Sequence, residues 1–138
     1  MKSSILGVAV LALGAAIAAQ AAWPGAGPLK GKVPFEFHVG NFRLPAGTYM
    51  VRQVSGAVLE VRGVDSRATA TMTYFPDQKN SPNGKGGFAF RCYGDKCFFA
   101  SAWNGSGSAM SIVRTKTERE TATNIGSVPQ ASRKVAAD

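Results

Sequence analysis

The chain contains few of the side chains on which most enzymes and metal proteins depend. Its 138 residues include one histidine, His38, and two cysteines, Cys92 and Cys97. A structural zinc site needs about four nitrogen or sulfur ligands, so these three residues are too few to form one. The sequence also lacks a Gly-x-Ser-x-Gly nucleophile motif, a phosphate-binding P-loop and a dinucleotide-binding glycine motif. From these absences we predict no metal site, no cofactor and no catalytic residue, and hence a protein that is not an enzyme.

Carboxylates offer one remaining route to catalysis. The chain has eight of them, and those within the predicted turns and strands are scattered singly. Folding can bring two distant carboxylates together as the acid and base of a glycosidase. The alternative is that each acid belongs to a solvated β-surface, which the sequence favours. A small hydrolase is therefore a remote alternative.

Long apolar runs are also scarce. Lys2 precedes small and apolar residues from Ile5 to Ala19, and Ala19-Gln20-Ala21 has the small-x-small pattern of a cleavage site. This predicts a cleavable signal peptide over residues 1–21. An uncleaved membrane anchor is the alternative, but the run is short and mildly apolar for a bilayer span. We expect an exported bacterial protein, secreted or periplasmic, with no transmembrane segment in its mature form.

Acidic side chains are outnumbered by basic ones. The chain has 16 Lys and Arg against 8 Asp and Glu, a formal net charge of +8. A basic exported protein is attracted to anionic surfaces, so the expected partner is an anionic envelope polymer or polysaccharide. Export argues against a specific nucleic-acid partner. The alternative is that the charge only maintains solubility, since the basic residues are spread along the chain.

Apolar and polar residues alternate along much of the chain. In residues 33–39, VPFEFHV, the apolar side chains share one face, and His38 lies on the other as a surface histidine. Ser55-Gly56 separates two alternating runs, which predicts a hairpin, and residues 67–75 alternate most cleanly. No segment has the periodicity of a convincing amphipathic helix. The pattern predicts an all-β fold, a single antiparallel sheet of six to seven short strands curled into a small barrel or sandwich.

The remaining segments are polar or rich in proline and glycine. Residues 22–32 predict an irregular lead-in, and residues 33–113 form the predicted β-domain. Within that domain, residues 76–87 contain no apolar side chain and predict a surface loop. Residues 114–138 are charged and polar and predict a short helix or a disordered C-terminal tail.

The two cysteines flank a segment with the composition of a hairpin turn. Gly94-Asp95 fits the two central positions, which places Cys92 opposite Cys97 in a non-hydrogen-bonded pair. Such a pair can approach the Cβ separation of about 3.5 to 4.5 Å that a disulfide needs, and exported proteins commonly form disulfides. Free thiols are one alternative. A redox site is another, although a thioredoxin-type site has two intervening residues and a helix terminus. We predict a Cys92–Cys97 disulfide that holds one hairpin in register.

Four residues beside this turn form a candidate binding patch: Arg91, Tyr93, Lys96 and Phe98. The register places Phe98 opposite Arg91, on the face away from the cysteines. If that face is exposed, it is an aromatic and basic surface suited to sugars or anionic polymers. The alternative is that both faces of the hairpin are covered and Phe98 is a core residue. A cavity inside the barrel is a further option, but small barrels usually fill with side chains.

Several motifs resemble those of a family of small secreted all-β proteins predicted in soil bacteria. The family pattern runs VPFxFxVG, LPAGxY, YGDxxF, a tryptophan and KxERE, and this chain has VPFEFHVG, LPAGTYMV, FRCYGDKCFFASAW and TKTERE. The likeness covers most of the chain from Val33 to Glu120, and Cys92 and Cys97 depart from the usual pattern. The resemblance implies export and an all-β fold. The family has no established activity, so no functional residue is carried over.

These features predict a secreted, non-catalytic binding or envelope-associated β-domain protein. The alternative is a self-assembling extracellular structural subunit. Such a subunit would associate through open strand edges, because an unpaired strand edge is a template for a strand of a neighbouring copy.

Overall fold

Strands dominate the computed structural model, which describes residues 28–78, 84–125 and 130–137. The predicted signal peptide, residues 1–21, lies outside the described residues. In chain order the elements are β1 Leu29–Val33, β2 Phe37–Val39, β3 Phe42–Leu44, β4 Gly47–Ser55, β5 Val58–Gly63, β6 Thr69–Thr73, β7 Phe75–Gln78, β8 Gly86–Tyr93, β9 Lys96–Trp103, β10 Ser108–Ser111, α1 Lys116–Ile125 and β11 Gln130–Ala137. The all-β fold is confirmed. The predicted number of strands is wrong, because several strands have only three or four residues, too few to show a clear alternation.

The strands form one sheet that curls into a nearly closed barrel. Its order is β3-β2-β9-β8-β11-β1-β4-β5-β6, with β10 beside β9 and β7 beside β10. All pairs are antiparallel except β2 with β9, which are parallel where His38 lies opposite Phe98. The two ends of the sheet approach each other where β2 contacts β6. Gly40, with φ 60°, is in the turn after β2, and a Cβ there would overlap the thioether of Met72. Glycine therefore permits this close approach.

The predicted strand over residues 33–39 is interrupted. β1 ends at Val33 and β2 begins at Phe37, because Pro34 has no N–H to continue a ladder. The inward orientation of the apolar side chains is nevertheless as expected. Val33, Phe37 and Val39 are buried, and Phe35 packs against the core.

Both terminal predictions need correction. Within the predicted irregular lead-in, residues 22–32, Leu29 to Lys32 belong to β1, and Leu29 is buried. Within residues 114–138, the short helix is present as α1, but residues 130–137 form β11 rather than a disordered tail. β11 pairs with β8 through the main chain, so its polar composition gave no indication of it. Within the predicted surface loop over residues 76–87, residues 76–78 belong to β7 and residues 86–87 belong to β8, while residues 79–83 lie outside the described residues.

Aromatic rings fill the middle of the barrel. Phe90 contacts three other rings edge-on, those of Phe35, Phe37 and Phe99, with centroid separations of 5.0, 5.3 and 5.6 Å. Tyr49 packs on Phe37 at 5.0 Å in the same way. Such edge-on pairs contribute roughly 0.5 to 1.5 kcal/mol each beyond the area that they bury. The fold therefore rests on a phenylalanine-rich interior built from four strands, β2, β4, β8 and β9, and from the segment between β1 and β2.

Candidate anion-binding groove

The cysteine hairpin has the predicted geometry. β8 and β9 pair with Cys92 opposite Cys97 and Tyr93 opposite Lys96. Gly94, with φ 68°, is in the left-handed conformation that a tight hairpin turn requires. The disulfide between Cys92 and Cys97 is present, with Cα atoms 4.0 Å apart. Both the pairing register and the cross-link are confirmed.

The candidate patch beside this hairpin is not an exposed surface. Phe98 is 2% exposed and Tyr93 is 3% exposed, while Arg91 is partly buried and only Lys96 is open to solvent. Phe98 stacks on His38, with centroids 4.8 Å apart, and meets the edge of Tyr93 at 6.0 Å. The hypothesis of an exposed aromatic and basic patch is therefore wrong. The alternative, in which both faces of the hairpin are covered, describes the structure.

A buried carboxylate from α1 covers this outward face. Glu118 is 2% exposed and accepts two hydrogen bonds from Arg91, from Nε at 2.6 Å and from Nη2 at 3.0 Å. The Tyr93 hydroxyl donates to the same carboxylate at 2.8 Å. Thr115 caps the helix by accepting the N–H of Glu118 at 3.2 Å. The cluster thus attaches the N-terminal turn of α1 to β8.

This environment changes two pKa values. Burial lowers the pKa of Arg91, but the hydrogen bonds and the charge of Glu118 outweigh burial, so the pKa is raised. Burial raises the pKa of Tyr93, and its hydrogen bond to Glu118 raises it further. Both shifts favour the protonation states that the cluster uses, a cationic guanidinium and a neutral phenol. Arg91 and Tyr93 already donate hydrogen bonds to Glu118, so the cluster has a structural role.

His38 is half-buried on the outward face of β2 rather than on the open surface. Its Nδ1 is buried without a hydrogen-bond partner among the described residues. The neighbouring carboxylate of Glu36 pairs with Arg43 at 3.3 Å. The surface-histidine interpretation therefore needs correction, because stacking on Phe98 covers part of the ring and leaves His38 half-buried.

A groove of about 560 Å³ lies on the outward face of β4, β5 and β6. Three arginines line it, Arg52, Arg62 and Arg67, together with one carboxylate, Glu60. Arg52 on β4 lies opposite Glu60 on β5. Arg62 is two residues further along β5 and points to the same face, because side chains alternate along a strand. Arg67 comes from the turn between β5 and β6.

The groove has more positively charged than negatively charged side chains. Arg52 Nε lies 3.0 Å from an oxygen of Glu60. Within the part of the chain that the structure describes, Arg62 and Arg67 have no ion-pair partner, and both are exposed. The groove therefore holds three guanidinium groups against one carboxylate. Two of the guanidinium groups are available to a ligand.

Main-chain contacts hold the turn that carries Arg67. The N–H of Gly63 donates to the carbonyl of Ala68 at 2.7 Å, and the N–H of Val64 donates to the carbonyl of Thr48 at 2.9 Å. A Cβ on Gly63 would overlap the Ser66 hydroxyl, so the turn folds closely over this glycine. The arginine is thereby presented from a structured turn.

Further polar and apolar side chains complete the surface. Met50 lies opposite Arg62, and Lys30 on β1 lies opposite Met50 on its other side. Lys32 is two residues along from Lys30, and both lysines are exposed. The basic surface therefore extends from the groove onto β1.

These arginines were not predicted as a site. Alternation of apolar and polar residues predicts that Glu60 and Arg62 share the outward face of one strand. It gave no means of relating them to Arg52 and Arg67. The signal that was present is the outward arginine on each strand of the hairpin around Ser55-Gly56.

No family model, curated protein or solved structure matches the chain. In residues 28–78, 84–125 and 130–137, no helix is long and apolar enough to cross a membrane. The same residues contain no group of three or more histidine, cysteine, aspartate or glutamate side chains placed to hold a metal ion. The disulfide is compatible with an exported protein.

Proposed function

We propose that the protein is an exported, non-catalytic binding protein whose groove holds an anionic envelope polymer or polysaccharide. The observation that carries this proposal is the pair of exposed guanidinium groups, Arg62 and Arg67, which have no ion-pair partner among the described residues. A guanidinium donates two parallel hydrogen bonds to a carboxylate or a phosphate. Its unpaired presence in a concave surface favours an anionic ligand.

The size and surroundings of the groove support a polymer rather than a single small ion. Its volume of about 560 Å³ falls within the range of roughly 300 to 1,000 Å³ that small-molecule sites occupy. Lys30 and Lys32 continue the positive surface onto β1. A chain seated on Arg62 and Arg67 can therefore meet further cations beyond the groove.

The carboxylate content of the groove supports a non-catalytic role. Among the residues that the structure describes, Glu60 is the single carboxylate that lines it, and Arg52 lies 3.0 Å from that group. Hydrolysis of a glycoside by the usual mechanism uses two carboxyl groups, one on each side of the bond. The groove supplies hydrogen-bond donors to a ligand but no such pair.

The double variant Arg62→Gln/Arg67→Gln tests this proposal by isothermal titration calorimetry with anionic polymers and with neutral dextran. We expect affinity for the polyanion to fall at least about tenfold, equivalent to about 1.4 kcal/mol. The control Arg43→Gln/Lys116→Gln removes the same charge from exposed sites outside the groove. Equal losses in both variants would show attraction by net charge alone and would refute a groove site.

A second candidate function, self-assembly, is favoured by the way in which β11 is held. β11 has eight register pairs with β8 but one with β1, Gly31 opposite Ala137. Ser132, Arg133 and Lys134 are exposed, and Ala137 is buried. The main-chain ladder with β8 is therefore the most extensive contact of this strand. A second copy of the chain can supply an identical strand, as in domain-swapped dimers.

Cysteines introduced at positions 89 and 134 distinguish two states of β11. In one state β11 is exchanged between two copies of the chain, and in the other it pairs with β8 of its own chain. Ala89 and Lys134 lie opposite each other on β8 and β11, so Ala89→Cys/Lys134→Cys should form an intramolecular disulfide in a monomer. In an assembled subunit the same pair should give covalent dimers or ladders on a non-reducing gel. Each single variant is the control for nonspecific cross-linking. Monomers at every protein concentration would refute the self-assembly candidate.

A further inference from the structure

The groove offers more than positive charge, and its other side chains narrow the class of ligand. Building on the function proposed above, we infer that the groove recognises an acidic sugar unit. Its carboxylate would bind Arg62 and Arg67, its hydroxyl groups would meet Glu60, Ser66 and Thr69, and its ring would lie on Met50.

Glu60 is the first reason to favour a sugar over a denser polyanion. Its side chain is 18% exposed and is held 3.0 Å from Arg52, so its negative charge remains within the groove. A carboxylate only accepts hydrogen bonds. It repels an anionic ligand such as polyphosphate, which has no hydroxyl groups that could donate to it in compensation. A sugar hydroxyl can donate to it.

The hydroxyl groups on the groove wall are the second reason. Thr69 on β6 lies opposite Arg62 and is exposed. The Ser66 hydroxyl accepts the N–H of Ala68 at 3.3 Å and retains its own hydrogen to donate. Hydroxyls both donate and accept, as do the hydroxyls of a sugar. A row of such groups next to a guanidinium matches a ligand with one carboxylate among several hydroxyls.

The apolar part of the lining is the third reason. Met50 is half-buried and lines the groove together with Val64 and Pro28. Val64 is 41% exposed. A sugar ring has a face of C–H groups that can cover such a surface, and burying apolar surface is favourable. Polyphosphate has no apolar face and gains nothing there.

The test compares four probes by isothermal titration calorimetry on the full mature chain. The probes are an oligogalacturonate, its neutral methyl ester, polyphosphate and phosphatidylglycerol vesicles. The variants are Glu60→Gln, Met50→Gln and Arg62→Gln/Arg67→Gln, with Arg43→Gln/Lys116→Gln as the charge control. Circular dichroism and the mass of the intact disulfide verify that each variant is folded.

We expect the oligogalacturonate to bind more tightly than polyphosphate. The methyl ester of the oligogalacturonate should bind at least about tenfold more weakly than the charged form. Glu60→Gln should improve polyphosphate binding more than oligogalacturonate binding. The ratio of the two affinities should therefore fall at least about threefold, because the sugar loses a charge-assisted hydrogen bond. Met50→Gln should weaken uronate binding and leave polyphosphate binding unchanged. These three results together would support an acidic sugar ligand.

Failure of this inference can be separated from failure of the proposed function. The acidic-sugar inference is wrong if polyphosphate binds as tightly as the oligogalacturonate. It is also wrong if neither Glu60→Gln nor Met50→Gln changes the ratio of the two affinities. A loss confined to Arg62→Gln/Arg67→Gln would then still support an anion-binding groove. Binding to the vesicles without binding to the uronate would identify a lipid surface and overturn the sugar inference. Equal behaviour of the groove variant and its charge control with every probe would overturn both.

Discussion

Glu118 shows how a single side chain can join two elements of this fold. Its carboxylate is 2% exposed and accepts hydrogen bonds from both Arg91 and Tyr93 on β8. A buried charge is tolerated only when it is paired and hydrogen-bonded. Removing the charge of Glu118 therefore leaves the Arg91 guanidinium in a partly buried position without its counter-ion.

Replacing Glu118 should destabilise the protein far more than replacing its neighbour on the same helix. For Glu118→Gln we expect the free energy of unfolding in urea to fall by roughly 2 to 4 kcal/mol, because a partly buried Arg91 loses its partner. Glu120→Gln is the matched control. The Glu120 side chain is 61% exposed and lies 3.8 Å from Lys116, so its loss should cost less than about 0.5 kcal/mol. Similar costs for the two variants would show that the buried cluster does not hold α1.

Tyr93 makes stability depend on pH at the alkaline end. Burial, followed by the hydrogen bond to Glu118, raises the pKa of Tyr93 above its ordinary value of 10.0. A raised pKa means that the folded state retains the proton more strongly than the unfolded state does. This contribution to stability is complete below pH 10 and is lost as the pH rises through the folded-state pKa.

Tyr93→Phe should reduce this alkaline loss. We expect the stability of the natural protein to fall as the pH rises above about 10, and we expect a shallower fall in the variant, whose residue 93 cannot ionise. Tyr49 and Tyr74 also have raised pKa values through burial, so part of the fall should remain. Urea unfolding across this pH range, with tyrosine ionisation followed by absorbance, measures the difference. An identical pH profile for the variant would contradict the assignment.

Among the elements, the β8–β9 hairpin was predicted almost completely, whereas α1 was predicted only as a short helix, without its contact to β8. The hairpin depends on neighbouring residues, because a two-residue turn with glycine sets the register of the pairs beside it. The capping pair Thr115 and Glu118 is a local signal for the start of α1. The sequence does not show that Glu118 turns to Arg91, 27 residues away. That contact depends on how the helix packs.

The disulfide should stabilise this hairpin with little effect elsewhere. Because the closed ring is short, the loss of chain entropy in the unfolded state predicts that Cys92→Ala/Cys97→Ala costs about 2 kcal/mol. Both cysteines are buried, so the lost sulfur packing adds to this cost. Urea unfolding measures stability, and calorimetry with the polyanion should show unchanged affinity, because the groove lies on β4, β5 and β6. A loss of binding in the folded variant would contradict this local role.

At the scale of the whole molecule, the C-terminal strand completes the sheet. β11 lies between β8 and β1, so it connects the part of the sheet that contains the disulfide to the part that contains the groove. The predicted disordered tail would contribute nothing to this connection. A disordered tail could be removed without effect, whereas removal of strand β11 should disrupt the sheet. A chain without residues 130–137 therefore distinguishes the two descriptions.

A chain that ends at Ile125 should lose cooperative unfolding and bind the dye ANS. Without β11 the ladder of eight pairs on β8 is unpaired, and apolar side chains such as Phe88 lose their cover. Unpaired strand edges also favour aggregation. The control Lys134→Gln changes an exposed position and keeps the main chain intact, so it should unfold as the natural protein does. A cooperative, stable truncated chain would show that β11 is dispensable.

Features that depend on neighbouring residues could be predicted from the amino-acid sequence alone. The all-β class, the inward orientation of Phe37 and Val39, and the pairing of Cys92 with Cys97 all follow from alternation and from one tight turn. The physical reason is that side chains alternate along a strand and a short loop allows one register.

The contacts between distant segments became evident only in the folded chain. Folding placed β11 between β8 and β1, and it stacked Phe98 of β9 on His38 of β2. These outcomes depend on the order of the strands in the sheet, and that order arises from main-chain pairing between segments far apart in the chain. Main-chain groups are the same in every residue apart from proline, so they leave little trace in the amino-acid sequence.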